Sequence, residues 1–109
     1  MTQYLTAAAA EDLTSAFTEL ETTLLKVRRL AGSGTTPELE RELRAHQRSL
    51  RSMLGPEAAV LVEDVVDAAL RVLDAADPSA PLLVLAMGQR SLGTLIRRHA
   101  AQVAMPAAA

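Results

Sequence analysis

Cysteine is absent from this chain, and its absence removes disulfides, thiolate zinc sites, iron–sulfur clusters, haem attachment through cysteine and cysteine nucleophiles together. A reducing cytoplasm suits such a composition. Tryptophan is missing as well, and Tyr4 and Phe17 are the only two large aromatic side chains, which leaves no platform on which bases would stack. Lysine occurs once, as Lys26 beside ten arginines, and the formal net charge is -2. That balance disfavours a general binder of nucleic acid. Long apolar runs are also lacking. The longest, residues 82–87, falls far short of the roughly 20 residues that cross a bilayer. Met1-Thr2-Gln3-Tyr4-Leu5 has no basic run ahead of an apolar stretch, so neither a secretory signal nor a membrane span is expected.

What the chain does contain is aliphatic. Half of its 109 residues are hydrophobic, mostly Ala, Leu and Val, enough for one domain with a close-packed core. Arginine in place of lysine and the abundance of alanine match the coding bias of a GC-rich bacterium. Three breaker clusters, Gly32-Ser33-Gly34-Thr35-Thr36-Pro37, Gly55-Pro56 and Asp77-Pro78-Ser79-Ala80-Pro81, divide the sequence into four helix-length segments. They predict helices over residues 8–31, 37–54, 57–76 and 81–103, with flexible ends at 1–7 and 104–109. The expected architecture is a single all-α domain, an antiparallel four-helix bundle over residues 1–109.

In the first segment Leu13, Phe17, Leu20, Leu24 and Val27 advance by alternating steps of four and three, which keeps one seam facing a partner helix. Thr36 as N-cap and Pro37 at the first helical position start the second helix, whose apolar face carries Leu39, Leu43, His46, Leu50 and Met53. The third segment is the most apolar. Leu61, Val62, Val65, Val66, Ala69, Leu70, Val72 and Leu73 cover more than half its circumference, so it is expected to be the most deeply packed or to face a partner. In the fourth, Leu85, Leu92, Ile96, His99 and Val103 form the seam, while Ala86, Gly93 and Ala100 recur every seven positions as a shallow stripe. Gly32-Ser33-Gly34 reads as a flexible connection.

Candidate chemistry begins with Glu63-Asp64-Val65-Val66-Asp67, whose carboxylates Glu63, Asp64 and Asp67 stand at spacings able to share a magnesium ion. With Glu38 and Glu42 one turn apart on the second helix, the cluster resembles the all-helical MazG-like nucleotide pyrophosphohydrolases, whose motif is Glu-Glu-x-x-Glu followed by Glu-x-x-Asp. Glu38-Leu39-Glu40-Arg41-Glu42 lacks the paired glutamates, and Asp64 and Asp67 keep the three-residue step. The resemblance implies magnesium-dependent release of pyrophosphate from a nucleotide. The competing reading is a solvated acidic face, with Glu38 drawn to a helix start by the dipole alone.

His46 and His99 both occupy seam positions. In an antiparallel bundle their distances from their helix starts differ by about nine residues, an axial offset on the order of 13 Å, which separates them too widely for one metal. Ala45-His46 with Gly55 nine residues on is similar to histidine phosphotransfer domains, a resemblance that implies His46 as phosphoacceptor. That family places Lys three and Gly four positions after its histidine, where this chain has Ser49 and Leu50. Arg41, Arg44, Arg48 and Arg51 form a basic stripe for which the carboxylates of the third helix are intramolecular partners. No Gly-x-Ser-x-Gly turn or glycine-rich phosphate loop is present.

These readings favour a non-enzymatic protein–protein interaction module without cofactor, a small bacterial regulatory or adaptor protein. Its expected partner is a second copy of itself or a helix of a larger protein. The expected contact surface is Val60, Val66, Ala86, Gly93 and Ala100.

Overall fold

The computed structural model of the protein describes residues 2–104, with side chains described over 8–102. Four helices follow one another: α1 (Thr2–Arg29), α2 (Pro37–Met53), α3 (Pro56–Asp74) and α4 (Ser79–Ala104). No strand occurs among the described residues. The molecule measures 52 × 24 × 21 Å, about one long helix in length and two helices in each other direction. The four segments therefore share a single core.

Each boundary has a local cause. α1 begins six residues before the expected start, because nothing between Thr2 and the alanines 7–10 breaks a helix. α2 opens as predicted: the Thr36 hydroxyl accepts the Leu39 amide at 3.2 Å and Pro37 fills the first turn. Pro56 opens α3 from an extended Gly55 that contributes no side-chain cap. α4 starts two residues early because Asp77 Oδ1 accepts the Ser79 amide at 3.1 Å. Residues 105–109, which hold most of the expected tail, lie outside the described residues.

The connection between α1 and α2 is not the loose linker its glycines suggest. Gly32 and Gly34 adopt φ of 79° and 94°, a region open to glycine without a Cβ penalty. In that conformation their amides donate to the carbonyls of Val72 and Leu73 at 2.9 and 2.7 Å. Thr35 donates its amide and hydroxyl to Asp74 Oδ1 at 2.8 and 2.9 Å. The linker thus satisfies carbonyls that the last turn of α3 would leave unpaired.

The predicted seam of α1 is buried throughout, from Leu13 to Val27. On α2 Leu39, Leu43 and Leu50 are buried, but Met53 is 37% exposed and Leu54 takes the inward place. α3 buries Val62, Val65, Val66, Ala68, Ala69, Val72 and Leu73. Its wide apolar arc has a simple cause: α3 packs against α1, α2 and α4. α1 likewise touches the other three, whereas α2 and α4 make no close backbone approach to each other. Glycine permits two of the close approaches of α4. A Cβ on Gly88 would stand 3.2 Å from Val65 Cγ2, and one on Gly93 would stand 3.4 Å from Phe17 Cζ.

Candidate functional site

Val66 is fully buried in the core, so its place in the expected contact surface is corrected: helical periodicity turns it toward the interior. The stripe of small residues is corrected too. Gly93 packs on Phe17 of α1, Ala86 lines a groove with Phe17, Glu21 and Arg28 of α1, and Ala100 packs against the core. The stripe lets α1 and α4 approach each other and is not a free face. Of the five residues only Val60, at 58%, stands well exposed.

Besides Leu25, Leu30, Met53 and Val60 elsewhere in the chain, the exposed large apolar side chains form a group on the first half of α4. Leu83, Val84 and Met87 are 63%, 52% and 59% exposed. Their signal was present in the unbroken apolar run 82–87. Six consecutive apolar residues wind around more than one helical turn, so a helix that buries Leu85 must turn some of the others outward. Val84 and Met87 overlook a groove of about 360 Å³ between α3 and α4, lined also by Leu61, Asp64, Ala68 and Ser91. Ser91 also borders a second groove of about 720 Å³, between Gly55–Ala58 at the start of α3 and Leu95, Arg98 and His99 of α4. The two depressions follow one after the other along the α3–α4 seam.

The two helices differ in net charge. α3 carries Glu57, Glu63, Asp64, Asp67 and Asp74 against Arg71, a net charge of -4. α4 carries Arg90, Arg97 and Arg98 and no carboxylate, a net charge of +3. Among the described residues the ion pairs are Lys26–Glu42 and Arg44–Asp67, at 3.2 and 3.6 Å. The arginines of α4 belong to neither.

The acidic cluster does not converge. Glu63 opens to a groove with Arg51 and Val60, whereas Asp64, about 100° further round the helix, lines the groove toward α4, which Asp67 and Arg71 also border. Among the described residues no group of three His, Asp or Glu side chains is placed to hold a metal. Asp67 pairs with Arg44 of the basic stripe on α2.

His46 enters a polar contact between α1 and α2. Its Nε2 lies 2.8 Å from the Thr23 hydroxyl, which donates to Glu42 Oε1 at 2.9 Å, and Lys26 completes the chain through Glu42. The Thr23 hydroxyl holds the Glu42 carboxyl below its usual value of 4.5, with Lys26 adding to the effect. Threonine, histidine and carboxylate are the parts of a nucleophilic triad, but both partners here bond the hydroxyl itself. Thr23 is 2% exposed, so no substrate reaches it. His99 stands apart, beside Asp12, Leu13 and Met53.

No family, curated protein or solved structure matches this chain.

Proposed function

We propose that the protein is a non-enzymatic interaction module, a small regulatory or adaptor protein that works by helix–helix association through the outer face of α4. One observation carries this reading: Leu83, Val84 and Met87 stand together in solvent on a helix whose inner face is already filled by Leu85, Leu92 and Ile96. Apolar side chains grouped on an otherwise charged surface mark contact sites more often than scattered single ones do. In this reading the helices form an antiparallel bundle. Phe17 meets Gly93 while Arg28, farther along α1, bonds Gln89, earlier on α4, as oppositely running neighbours do. The expected setting is a bacterial cytoplasm.

Site-specific photo-crosslinking tests the reading. A benzophenone side chain at position 83, in the source cells, should yield protein adducts that the same group at Glu11 on α1 does not. Equal labelling at both positions, or none at either, overturns the assignment of α4 as the contact face.

A further inference from the structure

We infer that the groove between α1 and α4 is a binding site for a small diphosphate-bearing molecule, held by Arg28, Arg90 and Arg97. The inference goes beyond the helix-association reading and does not depend on it. α1 gives the groove Phe17, Glu21 and Arg28, and α4 gives it Arg90 and Arg97. Three guanidiniums therefore face one carboxylate, a local charge of +2 on a chain whose net charge is -2.

The three arginines keep their charge available. Among the described residues the ion pairs engage Lys26 and Arg44 as cations, and none of the groove arginines. Arg28 comes nearest to a carboxylate, but Gln89 stands between: Arg28 Nη2 donates to Gln89 Oε1 at 2.6 Å, and Gln89 Nε2 donates to Glu21 Oε2 at 3.2 Å. A neutral amide thus fixes both charged side chains without pairing them. A guanidinium carries five N–H donors. Arg28 spends one on Gln89, and Arg97 spends one on Thr94 Oγ1 at 3.3 Å. The donors left over have the fork geometry that grips phosphate oxygens two at a time.

Spacing selects the class of ligand. The bond to Gln89 sets the Arg28 head beside the level of Arg90, so these two flank the groove from opposite walls. Arg97 turns back along its helix, its Nη1 3.3 Å from where a Cβ on Gly93 would stand. Gly93 lies three residues beyond Arg90, a rise of about 4.5 Å. Two clamps less than one turn apart suit neighbouring phosphoryl groups of one molecule. A polymer fits less well, because the positive charge is confined to about 16 Å, the rise from Ala86 to Arg97. The volume of about 280 Å³ stands at the lower end of small-molecule sites, ~300 Å³ and upward.

Isothermal titration calorimetry of the full chain with sodium pyrophosphate, in low salt without divalent metal, tests the site. The unaltered chain should bind with Kd below about 1 mM, and at least roughly 10-fold more tightly than it binds inorganic phosphate, which reaches one clamp. Arg90→Gln with Arg97→Gln should weaken pyrophosphate binding at least roughly 10-fold. Arg41→Gln with Arg48→Gln removes the same charge from exposed positions on α2 and should leave binding within about 2-fold. Glu21→Gln keeps an acceptor for Gln89 and removes the carboxylate, so binding should tighten on the order of 5-fold. A purely structural role for these residues predicts no such gain. Arg90 and Arg97 are exposed, so circular dichroism should show their variant folded. Amide NMR shifts on the unaltered chain read the location without any variant: pyrophosphate should move those of residues 86–97 and not those of 57–64. Absent binding, no preference over phosphate, equal loss in the two arginine pairs, weaker binding by Glu21→Gln, or shifts centred on another face overturns the inference. Tighter binding of a short DNA duplex than of pyrophosphate overturns it too, with nucleic acid as the ligand. Crosslinking from position 83 reads the interaction separately, so either reading can fail alone.

Discussion

The amide of Gly34 donates to the carbonyl oxygen of Leu73 at 2.7 Å, so the segment joining the first two helices closes the end of the third. Two residues far apart in sequence hold three helices in register at that end. The bond requires the left-handed backbone of Gly34, at φ 94°, yet a Cβ there would meet nothing within 4 Å. Gly34→Ala therefore isolates the conformational penalty, on the order of 1–2 kcal/mol. Gly32→Ala should cost more, because its Cβ would also stand 3.3 Å from the Ala75 carbonyl oxygen. Urea unfolding midpoints of the two variants check both the size and the order.

Thr23 gives a second expectation, one that depends on pH. Its hydroxyl is buried and bonded to Glu42 and His46, and Thr23→Val removes it with little change of shape. The loss should be about 1 kcal/mol at pH 7, or roughly 5 °C in Tm. Glu42 has its carboxyl lowered in the fold, first by this hydroxyl. A lowered carboxyl stabilises the fold above its unfolded value and loses that contribution as pH falls through the folded one. The gap between unaltered chain and variant should thus narrow between about pH 5 and pH 3, read by chemical denaturation across that range.

How much of this was legible beforehand follows from the range of each signal. Thr36-Pro37 and Gly55-Pro56 act on their own backbone, and the helices start where those residues dictate. The α1 seam was legible because one apolar stripe had one role. The docking of Gly32 and Gly34 was not, since nothing local to those glycines names the carbonyls of Val72 and Leu73 as partners. Val66 and Met87 show the same limit. Both are apolar residues in apolar helices, and which of them faces water depends on how many neighbours each helix has. α3 touches three helices and α4 touches two, a fact of tertiary arrangement that periodicity does not encode.

Caps offer a third expectation. Thr36 accepts the Leu39 amide, and Thr36→Ala should cost about 1 kcal/mol. Gly55, at the corresponding position before α3, has no side chain to do the same and open space around it. Gly55→Asp should therefore raise stability by a few tenths of a kcal/mol, by supplying an acceptor and a negative charge at a helix start. Thermal unfolding of both variants tests whether the two helix starts differ as their caps do.

The contrast between Val66 and Met87 separates core from contact surface by measurement. Val66 is fully buried in α3, so Val66→Ala removes two methyl groups and leaves a cavity that the surrounding helices fill only in part. The expected loss is about 2 kcal/mol. Met87 is 59% exposed, and Met87→Ser should change stability by no more than about 0.5 kcal/mol. The two substitutions should exchange rank in an association assay. Val66→Ala, measured at a temperature where it remains folded, should associate like the unaltered chain, because its side chain never reaches the surface. Met87→Ser should bind more weakly despite its intact fold, because the removed side chain is one of those left without a packing partner. Two variants that weaken association only in proportion to their loss of stability would instead place the contact elsewhere.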